Sequence, residues 1–121
     1  MNIILFSSMK RSFIETSQFR NIVDASTDGE ILRRIQNEIL KNPEAGVTIA
    51  GTGGLRKLRV SDRERGKGKR GGYRVIYLDL PHLSVTCLMG LYTKEDKIDI
   101  SFDEKKVFRK LTEAFKKELN R

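Results

Sequence analysis

Two neighbouring apolar runs limit the fold more than any other feature of this chain. YRVIYLDL at 73–80 and LSVTCLMGLYT at 83–93 are almost continuously hydrophobic and meet at Leu80-Pro81-His82-Leu83. Each has strand length and strand composition, and the proline-containing join is short enough for a hairpin. A strand with one wet face would alternate apolar and polar residues. These barely do, so the pair belongs at the centre of a sheet covered on both sides. His82 is then a turn residue rather than a catalyst, and Cys87 a buried core thiol. With one cysteine and one histidine, the chain can build neither a disulfide framework nor a Cys/His zinc site.

The covering layers are written elsewhere in the chain as helix patterns. SFIET at 12–16 reads as a strand, after which Thr16 or Ser17 caps a short helix carrying Phe19, Ile22 and Val23 on one side. Thr27-Asp-Gly-Glu30 has capping-box spacing and predicts a longer helix striped by Ile31, Leu32, Ile35, Ile39 and Leu40, closed at Asn42-Pro43. Ser101-Phe-Asp-Glu104 predicts a second box, opening a last helix striped by Val107, Phe108, Leu111, Phe115 and Leu119. Residues 55–61 alternate as a strand with Lys57 and Arg59 on one side, Leu58 and Val60 on the other. The expected fold is α+β, in the order β-α-α-β-β-β-α, around a small, mostly antiparallel sheet.

A chain of 121 residues supports one domain, not two. Residues 1–9 read as an N-terminal extension, with Met9 a second candidate start, and residues 10–121 as a single domain. No run approaches the ~18 apolar residues of a membrane span. The first eight residues lack the charged start and cleavage site of a secretory signal, so the cytoplasm is the expected compartment.

Charge is concentrated. The chain carries 24 Lys and Arg against 16 Asp and Glu, a net +8. The stretch 55–74, LRKLRVSDRERGKGKRGGYR, holds nine basic residues and two acids, and nine minus two is +7. Glycines 66, 68, 71 and 72 interrupt its second half, which makes a loop between two strands. A cationic loop of this kind suits a polyanion's backbone; a solvated hairpin tip is the plainer reading. AGTGG at 50–54 is a turn rather than a phosphate loop, because no Gly-Lys-Ser/Thr follows and a strand comes next.

In an antiparallel meander, the start of the 73–80 strand lies beside the end of the 83–93 strand. Arg74 then approaches Tyr92 and Lys94, and Lys57 and Arg59 lie on the strand before. The expected site is a set of cations and a phenol, with no required histidine or carboxylate. Such a set suits attack of a ribose 2′-hydroxyl on the adjacent phosphate, where fixed cations neutralise the added charge. Arginine cannot act as the base. A lysine could do so only if its pKa fell from ~10.4 toward ~7–8, which neighbouring cations favour and a bound phosphate opposes. The alternative roles are ordinary ones: exposed strand-end charges at Lys57, Arg59 and Lys94, an ion pair at Arg74, and core-edge packing at Tyr92.

GTGGLRKLRV, GKGKRGGYRVIY and LYTKED, followed by a capped C-terminal helix, resemble the RelE/HigB superfamily of type II toxins, in its HigB-like branch. The resemblance runs from about residue 10 to the C-terminus. It implies a RelE-like fold and a ribosome-dependent endoribonuclease, an mRNA interferase that cleaves mRNA in the ribosomal A site with no metal or other cofactor. It also implies a cognate helix-turn-helix antitoxin of HigA type, through which alone operator DNA is bound, and no membrane partner. Carried onto this sequence, the catalytic positions are Lys57, Arg59, Arg74, Tyr92 and Lys94. Arg56, Arg63, Arg65, Lys67, Lys69 and Arg70 are the implied RNA contacts. The chain departs from relatives in three places: Asp99-Ile100-Ser101 offers no tyrosine near the last helix, His82 stands apart from the histidines some members use, and Glu95 replaces an arginine after the strand-end lysine. Two other readings stay open. A ParE-like gyrase inhibitor would share the fold without needing the dense basic set, and a non-catalytic RNA-binding module would need only the +7 loop.

Overall fold

The computed structural model describes residues 6–7, 11–62, 68, 72–97 and 99–119. In chain order its elements are β1 (Phe6–Ser7), β2 (Ser12–Glu15), α1 (Ser17–Ala25), α2 (Ile31–Lys41), β3 (Val47–Thr48), β4 (Arg56–Val60), β5 (Tyr73–Leu80), β6 (Val85–Thr93) and α3 (Phe102–Leu119). Among the described residues this is an α+β fold with three α-helices and a mixed sheet. The two-residue strands β1 and β3 are additions to the order expected from the sequence. The strands lie in the order β1-β2-β6-β5-β4-β3, so the two apolar runs sit at the centre as anticipated. β2 runs parallel to β6, and the other pairings are antiparallel. A 3-10 turn at Pro81–Leu83 joins β5 to β6, with Ser84 in the left-handed region at φ 53. His82 is exposed there.

Each face of the central hairpin has its own core. Val75 and Tyr77 of β5 and Leu88 and Leu91 of β6 pack with Phe19 of α1 and Ile31, Ile35 and Ile39 of α2. Ile76, Leu78 and Leu80, with Cys87 and Met89, pack on the other side with Phe108 and Phe115 of α3. Burial pushes the Cys87 thiol up to about 12, as suits a core residue. The helix stripes agree with these cores except at Val107, which is 59% exposed, while Thr112 takes a fully buried position instead. Thr112 can do so because its hydroxyl donates to the Phe108 carbonyl within the helix, at 2.8 Å.

The ladder between β5 and β6 is not uniform. Ile76 faces Gly90, but the next residue, Tyr77, faces Leu88, so Met89 is one residue extra on β6. A bulge of this kind resets the period of two, and side chains beyond it change face. Gly90 and Tyr92 thereby join the α3 face, along with Met89.

Helix starts decide how the layers dock. The Thr16 hydroxyl accepts from the Phe19 amide at 3.1 Å and donates to the Met89 carbonyl at 3.1 Å. One side chain thus caps α1 and fastens it to β6. At α3 the box is complete: Ser101 Oγ accepts from the Glu104 amide, and Glu104 Oε1 accepts from the Ser101 amide. At α2 the expected Thr27–Glu30 box does not form. The helix begins at Ile31, and Glu30, in the cap position, makes no side-chain cap bond. Buried Asp28 takes over: its carboxylate accepts from the Glu30 amide and the Arg34 guanidinium, and its carbonyl accepts from the Ile31 amide. A carboxylate's two charged oxygens can take the Arg34 guanidinium as a fork while still holding the Glu30 amide, which a neutral threonine hydroxyl cannot do. Arg34 continues the link by donating to the Ser61 carbonyl at 3.0 Å, which ties α2 to the end of β4.

Candidate nucleic-acid interface

Strand register assembles most of the expected site. Arg59 of β4 lies opposite Arg74 of β5, and Arg74 lies opposite Tyr92 of β6. Directly paired residues share a face with their Cβ atoms ~5 Å apart. The three side chains therefore form one row across three strands, on the face that carries α3. One pair further along, Lys57 opposes Ile76, which opposes Gly90. Lys57 thus joins the same face, and Leu58 and Val60 point into the α2 side.

Burial separates the members of the row. Arg59 is exposed and Lys57 half-buried, whereas Arg74 is only 3% exposed. The Arg74 guanidinium is held in part by the Gly72 carbonyl, to which Nη1 donates at 3.0 Å. Gly72 itself is clamped: a Cβ built there would lie 2.2 Å from the Val60 carbonyl oxygen and 2.9 Å from the Asp62 nitrogen. Only a glycine lets the end of β4 and the start of β5 approach this closely.

A carboxylate that the sequence reading did not include sits within the set. Asp99 Oδ1 accepts from Lys57 Nζ at 3.3 Å, from the Tyr92 hydroxyl at 3.3 Å, and from the Ile100 amide at 2.8 Å. Burial works against its charge, but the Ile100 amide, the Lys57 ammonium and the Tyr92 hydroxyl together hold the Asp99 carboxyl below the usual range. For Tyr92, burial first and then the charge and hydrogen bond of Asp99 push the hydroxyl up to about 12. Tyr92 therefore keeps its proton throughout the neutral range. Lys97 was also missed. Its ammonium stands 5.4 Å from the Tyr92 ring centroid and pairs with Glu104. The one signal for Asp99 was its place just before the Ser101 cap, where the chain must return from β6 to α3. Its partner Lys57 is 42 residues away, beyond the reach of any spacing rule.

Lys94 and Arg56 stand apart from the row. β6 ends at Thr93, whose amide and hydroxyl bond the Asp96 carboxylate in a tight turn, so strand alternation does not extend to Lys94. Lys94 is exposed in that turn. Arg56 opposes Tyr77, which puts it on the α2 face, and its guanidinium donates to the carbonyls of Gly46 and Glu44. Arg63, Arg65, Lys67, Lys69 and Arg70 lie outside the described residues.

A cavity of about 440 Å³ opens beside Tyr92, between α1 and α3, with Gln18, Asn21 and Lys97 among its lining residues. It gives the row a recess next to the phenol. Among the described residues, no group of three or more His, Cys, Asp or Glu side chains is disposed to hold a metal ion. No described helix is long and apolar enough to cross a membrane. No protein-family model matches the sequence.

Proposed function

We propose that this chain is a toxin of the RelE/HigB type, with the RelE-like fold, acting in the cytoplasm as a ribosome-dependent endoribonuclease on mRNA in the A site. The observation that carries the reading is the cross-strand row Arg59–Arg74–Tyr92 with Lys57 beside it, all on one face of the sheet. A row of cations ending in a phenol suits an in-line attack by the ribose 2′-hydroxyl, because it neutralises the charge that the transition state adds.

In that reaction the 2′-hydroxyl gives its proton to water, the 2′-oxygen bonds to phosphorus, the P–O5′ bond breaks, and the 5′-oxygen takes a proton from water, leaving a 2′,3′-cyclic phosphate and a 5′-hydroxyl. Arg59, Arg74 and Lys57 neutralise the charge that grows on the non-bridging oxygens. Tyr92, which holds its proton across neutral pH, donates a hydrogen bond to the phosphate or the departing 5′-oxygen. Lys94, exposed one residue beyond β6, contributes charge where the RNA strand enters. The basic residues between 63 and 70 hold ribosomal RNA, and a helix-turn-helix antitoxin of HigA type restrains the activity and alone contacts operator DNA.

Mapping new mRNA 5′ ends on translating ribosomes, with a gyrase supercoiling assay in parallel, tests the proposal. Arg74→Ala is expected to lose cleavage by a large factor while ribosome binding persists. Because Arg74 is buried, Arg59→Ala serves as the companion variant that leaves the core alone, and it too should cut more slowly. Reversing charge at Lys67, Lys69 and Arg70 should instead weaken binding, and flatten its salt dependence by ~0.7 in slope per lost phosphate contact. Equal effects from both groups would reduce the row to a docking surface. Cutting that survives Arg74→Ala together with Lys94→Ala would overturn the assignment, and gyrase inhibition without new mRNA ends would favour the ParE-like alternative.

A further inference from the structure

Three donors converge on a single point at the end of the row: Lys57 Nζ, the Tyr92 hydroxyl and the Ile100 amide all reach Asp99 Oδ1. They come from β4, from β6 and from the segment leading into α3, so only the folded chain brings them together. An ammonium, a phenol and a backbone N–H around one oxygen form the arrangement that proteins offer to a phosphoryl oxygen. The oxygen found there belongs to the protein's own carboxylate. Of the four residues concerned, Asp99 is the one whose side chain is more than half exposed, at 54%. Rotation about its side-chain bonds would clear the point without disturbing either core.

We infer that Lys57 Nζ, the Tyr92 hydroxyl and the Ile100 amide form a seat for one non-bridging oxygen of a phosphodiester, and that Asp99 occupies this seat in the free protein. The inference rests on the proposed function for the identity of the phosphodiester as RNA, but not for the anion chemistry of the seat. Two anions cannot share these donors at close range. An incoming phosphate must displace the Asp99 carboxylate and meets its repulsion while doing so. Asp99 is accordingly a competitor for the seat rather than the base of the reaction, and its low proton affinity is in keeping with that role. Held among three donors, it also keeps Lys57 and Tyr92 oriented when no RNA is present.

The test is binding of a 2′-O-methyl RNA trinucleotide, which cannot be cleaved, to the isolated protein and to Asp99→Asn. The asparagine can still accept from Ile100 and Tyr92, so the fold should be kept. Removing a unit charge ~5 Å from the phosphate in near-bulk dielectric is expected to tighten binding by about fourfold. The gain should vanish in a Lys57→Gln background. In the unmodified protein, the Ile100 amide resonance should shift on titration with inorganic phosphate, which reports on the seat without any substitution. Unchanged or weaker trinucleotide binding by Asp99→Asn, or an Ile100 resonance indifferent to phosphate, overturns the inference. So does slower cleavage on ribosomes with loss of the acidic limb of the pH profile, which would make Asp99 the base. Tighter binding by Asp99→Asn in a chain that cuts no mRNA would uphold the seat while removing the nuclease proposal.

Discussion

Gly72→Ala probes the contact on which the arginine row depends. The added methyl would stand 2.2 Å from the Val60 carbonyl oxygen, 2.9 Å from the Asp62 nitrogen and 3.0 Å from the Gly68 carbonyl oxygen. Ordinary carbon-to-carbonyl contacts begin near ~3.3 Å, so the closest overlap is about 1 Å. All three obstacles are backbone atoms, and no rotamer change can relieve them. Overpacking of this severity costs about 3 kcal/mol, the upper end of what inserted methyl groups impose. For a domain of this size that corresponds to a fall of roughly 10 °C in the melting temperature. In urea, with a slope of ~2 kcal/mol/M, the midpoint should drop by about 1.5 M. Gly68→Ala is the matched control, since a Cβ there meets nothing within 4 Å. The strain would fall beside the carbonyl that holds Arg74, so the row should suffer along with stability. A Gly72→Ala protein within about 0.5 kcal/mol of the parent, the usual scatter of neutral substitutions, would refute the close-approach argument.

Two further outcomes follow from single side chains. Thr16→Val removes both the cap on the Phe19 amide and the bond to the Met89 carbonyl, and should cost about 2 kcal/mol in denaturant melts, most of it recovered in Thr16→Ser. Glu15, 2% exposed and facing Arg20 at 3.6 Å, has its carboxyl pushed up chiefly by burial. The unfolded chain therefore releases this proton first, and the folded state loses stability as pH rises above the ordinary glutamate value of 4.5. Stability measured against pH should show Glu15→Gln gaining on the parent through that window, and parallel curves would show that Glu15 feels no net burial penalty.

The sequence by itself determined the order of the main elements, the double covering of the central hairpin and two of the three helix starts. It also determined the side of β4 that presents Lys57 and Arg59. These depend on spacings of two to four residues, which a chain carries wherever it goes. At α2 the same local rule gave the wrong start, because Asp28 could reach Arg34 and, through it, the end of β4. Tertiary structure alone decided the rest. The extra residue Met89 turns Gly90 and Tyr92 to the α3 face, and nothing in the period of the apolar run announces it. The Asp99–Lys57 contact joins residues from different elements. Packing chooses a bulge or a distant partner by what the assembled layers leave room for, and that room exists only once the layers have met.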